Sequence, residues 1–187
     1  LLDPAVDTRS AMLQETNELI QSAGYMPWWS KGDSSYDPEN CVTEIVDLFH
    51  FLMQGCMQQA AQGIDSELLQ DRTTPVVVDL VAVRLAQALE RLDSLGPRHL
   101  GLTDIHLIEY WLSTVLQGDA QLSLRDFWEM AQRFDVTLDK LYGRYFAKNL
   151  LNKFRRHANY KGDKTHLPPY QKLWDGEHED NWHVLRY

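Results

Sequence analysis

The 187-residue chain has no apolar run approaching the 18 or so residues that would read as a membrane span. Cysteine is scarce. Cys41 and Cys56 are the only two and do not form a CxxC, which excludes a disulfide framework and a thiol-ligated zinc site. Both are expected to be free thiols in a reducing compartment. The seven histidines show no zinc spacing, and there is no P-loop, no GxGxxG and no serine-nucleophile motif. Net positive charge is missing too: at −9 the chain lacks the basic face that phosphate-backbone binding needs, so a nucleic-acid binder is not expected. No stretch alternates apolar and polar residues convincingly enough for a strand, and the one β-branched run, Val76-Val77-Val78, leads into a helical pattern. No signal-peptide pattern is found, so a cytoplasmic location is expected.

What remains is an ordinary globular composition, 44% hydrophobic and 24% charged, at a length that supports one full-sized core. Residues 1–187 are therefore expected to form one all-α domain. Its centre is Thr43-Glu44-Ile45-Val46-Asp47-Leu48-Phe49-His50-Phe51, which has no Gly or Pro and continues apolar on nearly every side through Leu52, Met53, Cys56 and Met57. A helix apolar all round is a buried helix. Glu44 and Asp47 interrupt it at i and i+3, one turn apart on one face, and buried carboxylates must neutralise, pair or bind a cation.

Glu15 and Glu18 repeat that spacing upstream, so the chain reads ExxE, 25 residues, then ExxD. Four carboxylates on two packed helices suit a hard, oxygen-seeking cation, and Mg²⁺ held this way is the usual agent for polarising phosphates. Acid pairs at this spacing also arise by chance among 27 acidic residues; Glu90/Asp93 and Asp126/Glu129 are two more, both read as solvated faces. Charge is unevenly spread. Arg144 to Lys172 holds eight Lys and Arg against Asp163, a net of +7, which leaves −16 on the rest. A basic arm on an acidic body fits a metal–polyphosphate site, and equally fits a solvated basic helix end.

In chain order, helices are expected from about Arg9 to Ala23, ended by Gly24, and from Pro38, capped by Asp37, to about Gly63. Two more should run from Thr73 or Thr74 to Ser94, stopped by Gly96-Pro97, and from Thr103 to Gly118. A fifth should open at Ser123 and end near Phe134. The longest should start at Thr137 and run toward Asn159, with Leu138, Leu141, Tyr142, Tyr145, Phe146, Leu150, Leu151 and Phe154 facing the core and a basic stripe facing out. In the loop Tyr25–Asn40, Trp28 and Trp29 either pack on the body or form a flat wall against a base. Residues 160–187 are expected to be a largely irregular tail that folds over bound phosphates.

These residues carry a resemblance. Glu15-x-x-Glu18 with Glu44-Ile45-Val46-Asp47-Leu48-Phe49-His50-Phe51 and Gln54-Gly55-Cys56-Met57-Gln58 is similar to the dimeric dUTPases of the all-α NTP pyrophosphatase superfamily, relatives of the MazG-type enzymes. Pro27-Trp28-Trp29-Ser30-Lys31, Asn152-Lys153-Phe154-Arg155-Arg156, Tyr160-Lys161-Gly162, Tyr170 to Gly176 and Glu179-Asp180-Asn181 extend it, while residues 63–134 carry no block of it. The resemblance implies a helical bundle that hydrolyses dUTP to dUMP and pyrophosphate by water attack on the α-phosphorus. Mg²⁺ is the implied cofactor, with Mn²⁺ as the alternative metal and dUDP as a second candidate substrate. It further implies Glu15, Glu18, Glu44 and Asp47 as the metal-binding and catalytic set, Glu15 orienting the water. Lys148, Asn152, Arg155, Lys161 and Asn181 would bind phosphates, Trp29 and His50 the nucleoside, and the assembly would be a homodimer. Only 14 residues precede the first acid pair, where the family carries its uracil-reading helix. The middle could supply a substitute wall, or the substrate could be another nucleoside triphosphate as in MazG-like enzymes. A helical interaction protein that has lost turnover is the reading from a different class.

Overall fold

The computed structural model describes residues 7–25, 35–62, 73–96, 101–117, 120–157, 173–174 and 177–178. Among them are six helices: α1 (Thr8–Ser22), α2 (Pro38–Gln62), α3 (Thr73–Leu95), α4 (Asp104–Gln117), α5 (Ala120–Arg133) and α6 (Leu138–His157). The all-α expectation holds. The chain divides into two compact units, Leu1–Leu138 and Asp139–Tyr187.

In the first unit α2 is the axis of packing. It touches α1, α3 and α5, while α4 packs on α1 and α5, and α3 on α5. The near-continuous apolar surface of α2 is covered from three sides, so Cys41, Ile45, Leu48, Phe49 and Leu52 are buried. Each large side chain among these contributes about 1.5–3 kcal/mol of hydrophobic stabilisation. No helix among the described residues is long and apolar enough to cross a membrane.

The helix ends follow the local chemistry. Asp7 caps α1, its carboxylate accepting from the Ser10 N–H at 3.1 Å and the Ser10 hydroxyl at 2.6 Å, bonds that hold its pKa below the ordinary value. Gly24, at φ 80°, closes α1: its N–H reaches the Gln21 carbonyl, and the Tyr25 N–H the Ile20 carbonyl. Asp37 caps α2 through the Asn40 N–H at 3.0 Å, and Pro38 is the first helical residue, as expected from the sequence. α5 ends the way α1 does, but with Asp135 rather than glycine in the left-handed position, at φ 55°.

Three expectations are corrected. The fifth helix begins at Ala120, not Ser123, because Ala120, Gln121 and Leu122 are all good helix formers. Among the described residues the longest helix is α2, of 25 residues, against 20 for α6. Strands do occur: β1 (Leu173–Trp174) pairs antiparallel with β2 (Glu177–His178), and the dipeptide between them, Asp175-Gly176, is a composition favoured in tight hairpins. The pairing is too short for alternation to reveal it.

In the second unit the facing of α6 is reversed in part. Leu141 and Leu151 are buried, as expected, but Phe146 is 71% exposed, with Leu150 and Phe154 exposed beside it at successive i+4 steps, while Arg155 is buried. Two apolar lines run along this helix, one through Leu141, Tyr145 and Leu151 and one through Tyr142, Phe146, Leu150 and Phe154. Periodicity cannot choose between them.

Candidate functional site

The α1–α2 pair is an antiparallel hairpin fastened at both ends by polar side chains. At one end the Thr8 hydroxyl donates to Gln58 Oε1 at 3.3 Å. At the other the Ser22 hydroxyl donates to the Glu18 carbonyl at 2.9 Å and accepts from Asn40 Nδ2 at 2.6 Å, and the Asp37 N–H donates to the Ser22 carbonyl at 2.8 Å. Ser22 lies one turn beyond Glu18, and Asn40 one turn before Glu44. The two acid pairs are therefore held opposite each other across a connection of many residues.

Between these fastenings Glu15, Glu44 and Asp47 converge: each offers a carboxylate oxygen, and the three oxygens lie within 4.8 Å of one another. Glu44 is 6% exposed, and Glu15 and Asp47 are half-buried. Glu18, the fourth acid of the sequence motif, stands one turn along α1 with its side chain exposed and is not one of the three. The donor set is all carboxylate oxygen, which suits Mg²⁺ or Mn²⁺ rather than a metal that prefers sulfur or imidazole.

His50 follows Asp47 at i+3 on the same side of α2, half-buried, its ring edge-on to Phe51 at 5.4 Å. Gln54, buried at 6% exposure, extends that polar side by one more turn. On α6, Lys148, Asn152 and Arg155 are spaced i, i+4 and i+7 and so share one face, Lys148 and Asn152 half-buried and Arg155 buried. Trp29, Lys161 and Asn181 lie outside the described residues.

Of the acid pairs set aside in the sequence, Glu90 and Asp93 are exposed, as expected. Asp126 and Glu129 are not a solvated face. Glu129 is 6% exposed and paired with Arg125 at 3.2 Å, and Asp126 accepts from the Thr114 hydroxyl. The cause is the position of α5, packed against α2, α3 and α4, which leaves its acids to find partners inside the unit.

The sequence also gave no hint of a buried bond behind the cluster. Trp111 Nε1 donates to the Thr16 hydroxyl at 3.0 Å, across 95 residues of chain. Cys41 is free and fully buried, and burial, reinforced by the Asp37 and Glu44 carboxylates, pushes its thiol up to about 12.

A family model described as dUTPase matches residues 5–160. The matched span takes in the middle of the chain, where no block was recognised, and ends before Lys161 and Asn181. No curated protein matches.

Proposed function

The chain belongs to the dUTPase family, and on that premise we propose that it hydrolyses dUTP to dUMP and pyrophosphate with the help of a divalent cation. The observation that carries this is the convergence of Glu15, Glu44 and Asp47 within 4.8 Å in a chain matched by that family over most of its length. Glu44 and Asp47 would hold Mg²⁺, or Mn²⁺ in its place, with Glu18 able to join them from the exposed turn of α1. A cation so held would neutralise charge on the phosphates and polarise the attacked phosphorus.

The remaining steps fall to side chains. Glu15 accepts a proton from the attacking water and so directs its oxygen at the α-phosphorus. The bond to the bridging oxygen between the α- and β-phosphorus breaks, and pyrophosphate leaves with that oxygen. Lys148, Asn152 and Arg155, with Lys161 and Asn181, neutralise and hydrogen-bond the phosphates, Arg155 being suited to a two-pronged contact. His50 and Trp29 flank the nucleoside. dUDP has the same α-phosphorus and is a second substrate to test.

Pyrophosphate release from a panel of deoxynucleoside and ribonucleoside triphosphates, with Mg²⁺ and with chelator, tests the proposal. Release from dUTP ahead of the others, abolished by chelator, is expected. Preference for another base makes the chain a pyrophosphatase of different specificity, and no release from any of them overturns the enzymatic reading. A homodimer, implied by the family resemblance, is part of the proposal; the apolar surface of α2 does not itself call for one, being met inside the chain by α1, α3 and α5. Sedimentation at micromolar concentration decides it, a monomer being the contrary result.

A further inference from the structure

Thr16 immediately follows Glu15 on α1 and is fully buried. Its hydroxyl is committed in both directions, donating to the Met12 carbonyl at 2.6 Å and accepting from Trp111 Nε1 at 3.0 Å. Trp111 on α4 is also fully buried, and its ring meets Phe127 of α5 edge-to-face at 5.7 Å. Phe127 in turn stacks on Phe49 of α2 at 5.7 Å. Phe49 lies two residues beyond Asp47, which at 100° per residue puts it on the far side of α2 from that acid.

One buried row, Thr16, Trp111, Phe127 and Phe49, thus joins the flank of α1 beside Glu15 to the far side of α2 from Asp47. A carboxylate at about 6 Å from its helix axis moves by about 1 Å for every 10° of helix rotation, so the rotation of α1 and α2 sets the oxygen separations in the cluster. An aromatic row resists such rotation by close packing, and the single indole N–H bond fixes its register on α1.

We propose that Thr16 and Trp111 are positioning residues that fix the rotation of α1 against α2 and thereby hold Glu15 at the spacing from Glu44 and Asp47 that a small divalent cation requires. The inference rests on the reading of those three acids as a cation site. It carries a signature that loss of stability alone would not produce. Mg²⁺ demands near-ideal geometry at short distance, whereas Ca²⁺ accepts longer and more variable ligand distances. Loosening the brace therefore weakens Mg²⁺ more than Ca²⁺.

Isothermal titration of the full chain with MgCl₂ and with CaCl₂ tests this, comparing the wild type with Thr16→Val, Thr16→Ser, Trp111→Phe and Asp47→Asn. Thr16→Val removes the hydroxyl at nearly constant volume and is expected to raise the Mg²⁺ Kd by about tenfold, in the range for groups that orient metal ligands, while Ca²⁺ changes by less than about threefold. Trp111→Phe should act in the same sense, and Thr16→Ser, which keeps the hydroxyl, should retain the wild-type ratio. Should Trp111→Phe fail to fold, as judged by circular dichroism, the Val and Ser variants decide the matter. A wild-type Mg²⁺/Ca²⁺ ratio in Thr16→Val, with Asp47→Asn losing both ions, overturns the brace and leaves the site standing. Unchanged binding in Asp47→Asn, or none in the wild type, overturns the cation site itself.

Discussion

Replacing Glu44 by Gln keeps volume and hydrogen-bonding reach but removes one of three charges whose oxygens lie within 4.8 Å of one another. Two unit charges 4.8 Å apart repel by about 0.9 kcal/mol in water and about 3.5 kcal/mol at an effective dielectric of 20. Glu44→Gln removes two of the three repulsions. The lower figure is the safer one, because Glu15 and Asp47 are half-exposed. In chelator the variant should therefore be more stable than the wild type by about 2 kcal/mol, or about 4–8 °C in Tm. With Mg²⁺ at about a hundred times its Kd the order should reverse: the wild type gains about 2.7 kcal/mol, roughly 5–11 °C, and the variant little. Scanning calorimetry of both proteins in EDTA and in MgCl₂ reads all four values, and far-UV circular dichroism should show unchanged helix content. Pyrophosphate release should be lost in the variant. A lower Tm for Glu44→Gln in EDTA, or a Mg²⁺ shift equal to that of the wild type, would refute the reasoning and make the cluster a satisfied structural network.

Gly143 sits inside α6 with open space where a Cβ would stand, so Gly143→Ala should stabilise by about 0.5–1 kcal/mol, read from urea melts. Asp135→Gly relieves the left-handed backbone at the end of α5 and should gain about 1 kcal/mol, whereas Asp135→Ala keeps the strain and should not. Cys41 should resist alkylation in the folded protein and react on unfolding. Its folded pKa lies above the ordinary 9.0, so it contributes stability below pH 9 that is lost as pH rises toward about 12. Melts between about pH 8 and pH 10 should fall more steeply for the wild type than for Cys41→Ala, and equal slopes would contradict this.

Where a feature of this molecule depends on neighbours in sequence, it was legible. Asp37 and Pro38 opening α2, Gly24 closing α1, and Glu44 and Asp47 breaking an apolar helix are all local patterns, and the structure has each of them. Where a feature depends on which of two similar faces turns inward, it was not. α6 offered two apolar lines and buries the one through Leu141 and Leu151, leaving Phe146 in solvent. The pairing of Glu129 with Arg125 was within reach, since i and i+4 residues adjoin on a helix, but the burial that makes it matter comes from the packing of α5. The bond from Trp111 to Thr16 joins residues 95 apart, each an ordinary core position in its own helix. Only the packing of α4 on α1 brings them together.

The fastening of Ser22 to Asp37 and Asn40 has an evolutionary consequence. Because the end of α1 and the start of α2 are tied to each other directly, the segment that leaves at Gly24 and returns before Asp37 begins and ends at points that do not depend on its own length or composition. Doubling such a connection costs only about 0.6 kcal/mol in closure entropy. Insertions, deletions and new aromatic residues can therefore accumulate there without shifting Glu15 relative to Glu44 and Asp47. On the proposed assignment of Trp29 to the nucleoside and of the three acids to hydrolysis, substrate choice and chemistry would be separately heritable: a lineage could rewrite what it recognises one loop at a time while passing on its acids unaltered.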